Sequence, residues 1–338
     1  MGGGRASVKT ESDMTDAVLV TGANGFVGSA LVRRLLLDGA QVRAMVRPGC
    51  GRRNLEGLDA DIVEADLLDP TSWQAMLKGV RVLYHVAADY RLWVPNPEVM
   101  YRTNVDGSVG LIKAAAAAGV ERIVYTSSVA TLKAGDTGHG ADEDTPTTLA
   151  DMCGHYKRSK FLAEEAVRAL AHDDGLPIVI VNPSTPIGPC DMRPTPTGRI
   201  VLEAAGGRMP FYVNTGLNIV HVDDVAQGHV LACEKGASGQ RYILGGENMA
   251  LARILCEISM LAGRRPPLAA IPAGAVLPLA YGAEAAARLL PRWQPFVTVD
   301  GVKLARKYMY FRSDKAKREL GYQPRPAVAA LTDAIAWF

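Results

Sequence analysis

Short apolar runs alternate with stretches of helical period through the first half of the chain. Runs rich in Val, Ile and Leu at 17–20, 41–46, 61–64, 82–86, 122–127 and 177–182 predict strands. Stretches near 26–38, 70–78, 98–118 and 156–171 carry apolar residues at helical spacing and predict helices. The third of these ends in Lys113, five alanines and Gly119, which are strong helix formers followed by a stop. Strand–helix alternation implies an α/β fold, a parallel sheet covered by helices on both faces. Beyond Asn182 the alternation loosens and prolines multiply, which marks a second, smaller α/β region. The chain closes on an amphipathic helix from Ser313 to Gly321 and another over 326–338.

The first strand breaks into glycines: Val18-Leu19-Val20-Thr21-Gly22-Ala23-Asn24-Gly25-Phe26-Val27-Gly28. In a strand–turn–helix setting each glycine has a physical task. Gly22 allows the tight turn, Gly25 lets the backbone approach a pyrophosphate, and Gly28 lets helix and strand pack closely. Amides at the helix start, around Phe26 and Val27, then hold the phosphates. This predicts a doubly wound sheet of Rossmann type that binds a dinucleotide. The expected division is a disordered segment over 1–15, an NAD(P)-binding domain over 16–182, and a mainly substrate-binding domain over 183–338. Residues 220–235 are expected to return to the first domain.

Composition narrows the picture by exclusion. The 338 residues are 48% hydrophobic and 21% charged with a net charge of +2, as in ordinary globular proteins. No basic block stands out, so nucleic acid is not an expected partner. Five scattered cysteines without a CxxC pair read as reduced thiols in a cytoplasm. Residues 1–13 lack the apolar core of a signal peptide, and Met14 is an alternative start. No run is long enough to span a membrane; the nearest, 271–290, is interrupted by Pro272, Pro278, Glu284 and Arg288.

The end of the second strand selects the dinucleotide. An acidic residue there suits NAD, whereas this chain has Arg47 and then Arg52 and Arg53. Guanidinium groups suit a 2′-phosphate, and no carboxylate is placed to hold a free 2′-hydroxyl. NADP is therefore expected, with NAD as the alternative if these arginines form only a solvated loop. After the third strand, Asp66 with Leu67 can meet the adenine, or Asp66 can merely cap. Ala87 and Ala88 end the fourth strand and leave room for a ribose, while His85 reads as a packed core histidine.

Ser127 and Ser128 close the fifth strand, and Tyr156 and Lys160 follow at i and i+4 on one helical face. An ammonium beside the phenol, with a positive nicotinamide, favours the phenolate and lowers its pKa. The pair can then exchange a proton with a carbinol oxygen that a serine hydroxyl holds. Cys153 and His155 lie off that face. Val220-His221-Val222-Asp223-Asp224 offers metal-ligating types, but Asp223 or Asp224 is expected to cap the helix to Glu234. No metal is expected.

Together TGANGFVG, VRAMVR, HVAA, YTSS and YKRSK resemble the dihydroflavonol-reductase-like group of extended short-chain dehydrogenases/reductases. Asn24 in the glycine loop fits that branch. The stretches Asn182 to Pro189, Pro194 to Gly198 and Leu244 to Asn248 resemble the bacterial hopanoid-associated sugar epimerases. The resemblance covers residues 15–338. It implies catalytic Ser128 in preference to Ser127, with Tyr156 and Lys160, and adds Pro183 and Ser184 to the cofactor contacts, which Tyr156 and Lys160 share. It also implies a homodimer paired through helices 98–118 and 156–171, and a sugar-like or polyol substrate, lipid-linked, with peripheral membrane contact. Three functions follow: an NADPH-dependent carbonyl reductase, an NAD(P)-dependent sugar epimerase, or a dinucleotide sensor without chemistry. The tuned phenol argues against the sensor, and Arg47 favours net reduction. The apolar stretch 271–290, with Phe211 and Val213, either lines a substrate pocket or forms ordinary core.

Overall fold

A computed structural model describes residues 17–91, 94, 96–134, 140–289 and 297–338. The expected disordered segment 1–15 and Leu290, the end of the apolar stretch, lie outside the described residues. Six strands alternate with helices as the periodicity predicts. They are β1 (Ala17–Thr21), β2 (Val42–Val46), β3 (Asp61–Glu64), β4 (Val80–His85), β5 (Arg122–Thr126) and β6 (Ile178–Pro183). The smaller strands are β7 (Thr185–Ile187), β8 (Phe211–Val213), β9 (Gly216–His221), β11 (Glu247–Ala250), β12 (Ala269–Ile271) and β13 (Tyr308–Met309), while β10 (Arg241–Leu244) joins the first six. All pairs in the resulting seven-stranded sheet are parallel, in the order β10-β6-β5-β4-β1-β2-β3. The order reverses beside β1, so the crevice for a dinucleotide opens at the carboxyl ends of β1 and β4.

Both faces of that sheet are covered. One side carries α1 (Phe26–Leu37), α7 (Val222–Lys235) and α11 (Asp314–Leu320), packed through Leu31, Val225 and Leu320. The other carries α2 (Trp73–Leu77), α3 (Glu98–Tyr101), α4 (Ser108–Ala117) and α5 (Gly154–His172), packed through Trp73, Leu111 and Val167. The return to the sheet reaches beyond the expected 220–235. Strand β10 pairs with β6, and Ala316, Leu320 and Tyr322 share the core of α1 and α7. A separate core joins α6 (Pro196–Ala205), α8 (Leu251–Leu261) and α12 (Ala327–Trp337) to β9. Helices α9 (Ala273–Leu289) and α10 (Val299–Leu304) pack on each other through Ala280, Val299 and Val302. No helix among the described residues is long and apolar enough to cross a membrane.

Two local expectations need correction. The helix expected over 98–118 is interrupted by a π-helical segment, Arg102–Gly107. Its wide turn carries Asn104 inward, where the side chain accepts from Asp89 N at 2.7 Å and donates to Ser159 Oγ at 3.0 Å. Neither Asp223 nor Asp224 caps α7. His221 does, accepting from Asp223 N through Nδ1 at 3.0 Å. Asp224 instead accepts from Arg325 Nε at 2.8 Å.

Candidate active site

The glycine turn is shaped by close approach. Gly22 has a φ of +64°, and a Cβ there would lie 2.8 Å from Ala87 Cα. A Cβ on Gly28 would collide with the Gly22 carbonyl oxygen. On Gly25 it would meet only the Gly22 oxygen, at 3.1 Å, so a methyl would intrude on otherwise open space. Gly25 brings no side chain to cap α1, which leaves the first amides, including Phe26 and Val27, for an outside anion. Thr21 Oγ1 accepts from Val86 N and Ala87 N, both at 3.1 Å, and draws Ala87 and Ala88 against this turn. Its remaining proton points to His85 Nδ1 at 2.8 Å, and His85 Nε2 meets Ser108 Oγ at 2.9 Å. Burial, and then the Lys160 charge, push His85 down to about 3, so it is a neutral core group.

At the outer end of the crevice, Arg47 follows β2 directly. Asn24 Nδ2 ties the loop beyond it to the glycine turn, donating to Gly51 O at 2.9 Å and approaching Cys50 Sγ at 3.2 Å. Asn54 Nδ2 bridges Asn24 O and Cys190 O, each at 3.1 Å. Arg47 and Arg53 are exposed, with no ion pair among the described residues. Arg52 is committed elsewhere, its Nη2 lying 2.5 Å from Glu64 Oε1. Glu64 closes β3 and is engaged by this guanidinium. Parallel pairing sets Glu64 opposite Val46, just before Arg47, a proximity invisible from residues after β2 alone. Asp66 Oδ1 accepts from Leu68 N at 2.8 Å, and Leu67 is buried against Gly107. Ser184 Oγ donates to Asn218 O at 3.0 Å, just after Pro183 ends β6.

At the inner end the two serines part company. Ser127 Oγ donates to Glu164 Oε2 at 2.5 Å and is buried. Ser128 Oγ accepts from Ala130 N at 3.0 Å and lies beside the Tyr156 phenol, which it acts on electrostatically. Tyr156 and Lys160 sit one turn apart on α5. Burial raises the Tyr156 phenol above its usual 10, a rise that the Ser128 hydroxyl moderates. Burial also pushes Lys160 down to about 8, with the Glu164 charge opposing the fall. Lys160 Nζ donates to Thr126 O at 2.8 Å and lies 5.0 Å from the centre of the Tyr125 ring. A phenol in this state is a proton donor at neutral pH.

The sequence reading missed the residues that hold this arrangement. Glu164 is 1% exposed. Its Oε2 also accepts from Thr131 Oγ1 at 2.8 Å and Asn182 Nδ2 at 2.7 Å, and its Oε1 accepts from Arg241 Nη1 at 2.8 Å. Asn182 Nδ2 further reaches Ser128 O at 3.1 Å. The carboxylate thus anchors residues on both sides of Ser128. Glu164 lies four residues past Lys160, so extending the same helical spacing was the one signal available; Asn104 and Asn54 offered none. Cys153 and His155 face elsewhere, toward Asp300 and Tyr101.

The glycine turn fits a dinucleotide phosphate, the small residues of β4 leave space beside it, and a hydroxyl, a phenol and an ammonium converge at the inner end. The NAD dependent epimerase/dehydratase family matches residues 18–245. A Synechocystis sp. protein carrying the name dihydroflavonol 4-reductase is 45% identical, over 96% of this chain and 95% of its own. Sterol demethylase protein B of Methylococcus capsulatus is 36% identical, over 95% and 97%. The crystal structure of gox2253 superposes with a TM-score of 0.85 at 51% identity, covering 96% of this chain and 98% of that one. The chain belongs to the NAD dependent epimerase/dehydratase family and is an NAD(P)-dependent enzyme of the extended short-chain dehydrogenase/reductase type.

Proposed function

We propose that the enzyme reduces a carbonyl on a sugar-like or polyol group with NADPH. The observation that carries the reaction is the pairing of Ser128 with a protonated Tyr156 while Ser127 is held by Glu164. Gly22, Asn24, Gly25, Phe26, Val27, Gly28, Asp66, Leu67, Ala87, Ala88, Pro183 and Ser184 would hold the dinucleotide, and Lys160 its inner ribose. When bound, NADPH supplies the hydride that adds to the carbonyl carbon. Ser128 holds the carbonyl oxygen, and Tyr156 gives that oxygen its proton as the carbon is reduced to a carbinol. The proton is replaced from solvent. Lys160 keeps a positive charge near the phenolate left behind and so lowers the cost of forming it.

Unpaired Arg47 and Arg53 favour NADPH, a cofactor that leaves after each turnover, and hence net reduction. The name of the Synechocystis relative is consistent with reduction. The substrate body is inferred to be polycyclic and apolar, as in a hopanoid side chain. A sterol stands in the name of the Methylococcus relative. Exposed Val99 on α3 and Leu162 on α5 suit a homodimer formed through those helices, and five free thiols suit a cytoplasm. A second reading, epimerisation with retained NAD, draws on Glu64 beside β2 and on the family's description. Stoichiometric deuterated NADPH with lipid-linked sugars separates the two: deuterium transfer with net consumption is expected. Inversion of a stereocentre without consumption would establish the epimerase instead.

A further inference from the structure

We propose that the connection between α8 and β12, with the first residue of β8, seats the protein on an anionic lipid surface. Four large apolar side chains stand out there: Leu268 is 79% exposed, Met260 66%, Phe211 50% and Leu261 43%. They are fixed in place. Arg264 N donates to Ser259 O at 2.7 Å, which closes the end of α8, and Gly263 takes the left-handed conformation at a φ of +63°. Leu268 N donates to Pro210 O at 2.9 Å, and Ala269 pairs with Phe211, so Leu268 immediately precedes the two-stranded ladder whose first pair includes Phe211. Hydrogen bonding therefore holds these side chains in water on an ordered backbone. The likeness between the four is chemical as well: none carries a charge.

Charge identifies the occupant. Between Glu257 and Glu284 the chain has no acidic residue, and its only charges are Arg264 and Arg265. The Arg264 guanidinium donates from Nε to Ala205 O at 3.3 Å, and neither it nor Arg265 has an ion pair among the described residues. The nearest acid on the adjoining helix, Glu203, is taken by Arg208 at 2.5 Å. A stable protein interface engages roughly 20–30 residues a side and mixes both signs of charge. A few protruding apolar side chains beside unneutralised arginines instead match the boundary between anionic headgroups and acyl chains. Exposed Ala275, Pro278, Leu279 and Gly282 of α9 are likewise uncharged. None of these residues belongs to the proposed reaction centre, so the inference stands whether the enzyme is a reductase or an epimerase.

The test is flotation of the full chain with phosphatidylcholine vesicles, with and without phosphatidylglycerol. Binding to the phosphatidylglycerol vesicles alone is expected, and it should weaken as salt rises. Joint replacement Arg264→Glu and Arg265→Glu should weaken that binding by about tenfold or more. Leu268→Asp should abolish it, with NADPH affinity kept as proof of folding. Flotation that ignores both variants, or no flotation at all, would overturn the proposal. So would light scattering in which Leu268→Asp splits a dimer while wild type ignores vesicles, since the surface would then serve a second copy.

Discussion

The two ends of the crevice are built on opposite principles. At the inner end the polar groups are gathered into a buried network: Glu164 alone binds Ser127, Thr131, Asn182 and Arg241, and it is buried. At the outer end Arg47 and Arg53 stand in solvent, and among the described residues the one ion pair of that loop is Arg52 with Glu64, both about half exposed. Buried, saturated networks give fixed geometry at the risk of a large loss when one member is removed. Exposed charges contribute little stability and can change at low cost to the fold. On the proposed function, the chemistry falls at the buried end and the choice of dinucleotide at the exposed one.

The sharpest way to break this contrast is at the phenol. Tyr156→Phe removes one hydroxyl and keeps the ring, so turnover should fall by about 10²–10⁴-fold. Calorimetry should find cofactor affinity unchanged. Near-full turnover on any wild-type substrate would mean that another group donates the proton. Next in size, Glu164→Ala leaves the half-buried Arg241 without its carboxylate, and Ser127, Thr131 and Asn182 without their acceptor, and should cost about 3–5 kcal/mol of stability, read by chemical denaturation. A loss below about 1 kcal/mol, the range of exposed pairs, would erase the difference between the two ends.

Acid provides a third test. His85 and His229 are held down to about 3 and about 4, in both cases by burial first. His229 Nε2 meets Thr126 Oγ1 at 2.9 Å while Nδ1 faces Val225 O at 2.7 Å, a contact that opposes the lowering by burial. The unfolded chain binds these protons near pH 6.5 and the folded chain does not. Stability is therefore unaffected above about pH 6.5 and declines below it, by about 1.4 kcal/mol per pH unit for each histidine until the folded pKa is reached. Denaturation midpoints that stay level between pH 6.5 and 4.5 would contradict the neutral assignment.

The smallest effects belong at the outer end. Arg47→Asp should lower NADPH affinity by about ten- to a hundredfold, the worth of a charge-assisted hydrogen bond, and improve NADH. Arg52→Ala should change stability by less than about 1 kcal/mol. It should also free Glu64 and narrow the preference for NADPH. Equal affinities for the two cofactors in the wild type would show that the arginines do not read the phosphate.

Much of the inner lobe was legible because its signals are local. Val18 to Gly28 carries strand, turn and helix in one short stretch, and Tyr156 and Lys160 share a face by spacing alone. The Glu164 network draws on Ser127, Thr131, Asn182 and Arg241, which lie on separate segments, so only the sheet order brings them together. Glu64 escaped notice for the same reason: its neighbour Val46 is a strand-pairing partner. The His221 cap was obscured by two adjacent aspartates, which are the commoner capping type.

The π-helical segment Arg102–Gly107 makes chain length there matter more than side-chain identity. A π turn holds one more residue than an α turn, so it has the form of a retained insertion between α3 and α4. Loss of any single residue from the segment would let the helix close into regular α pitch and swing Asn104 by about 100° away from Asp89 and Ser159. Reading frames that drop one codon here would thus unhook the end of β4 from α5 while every remaining side chain stayed the same.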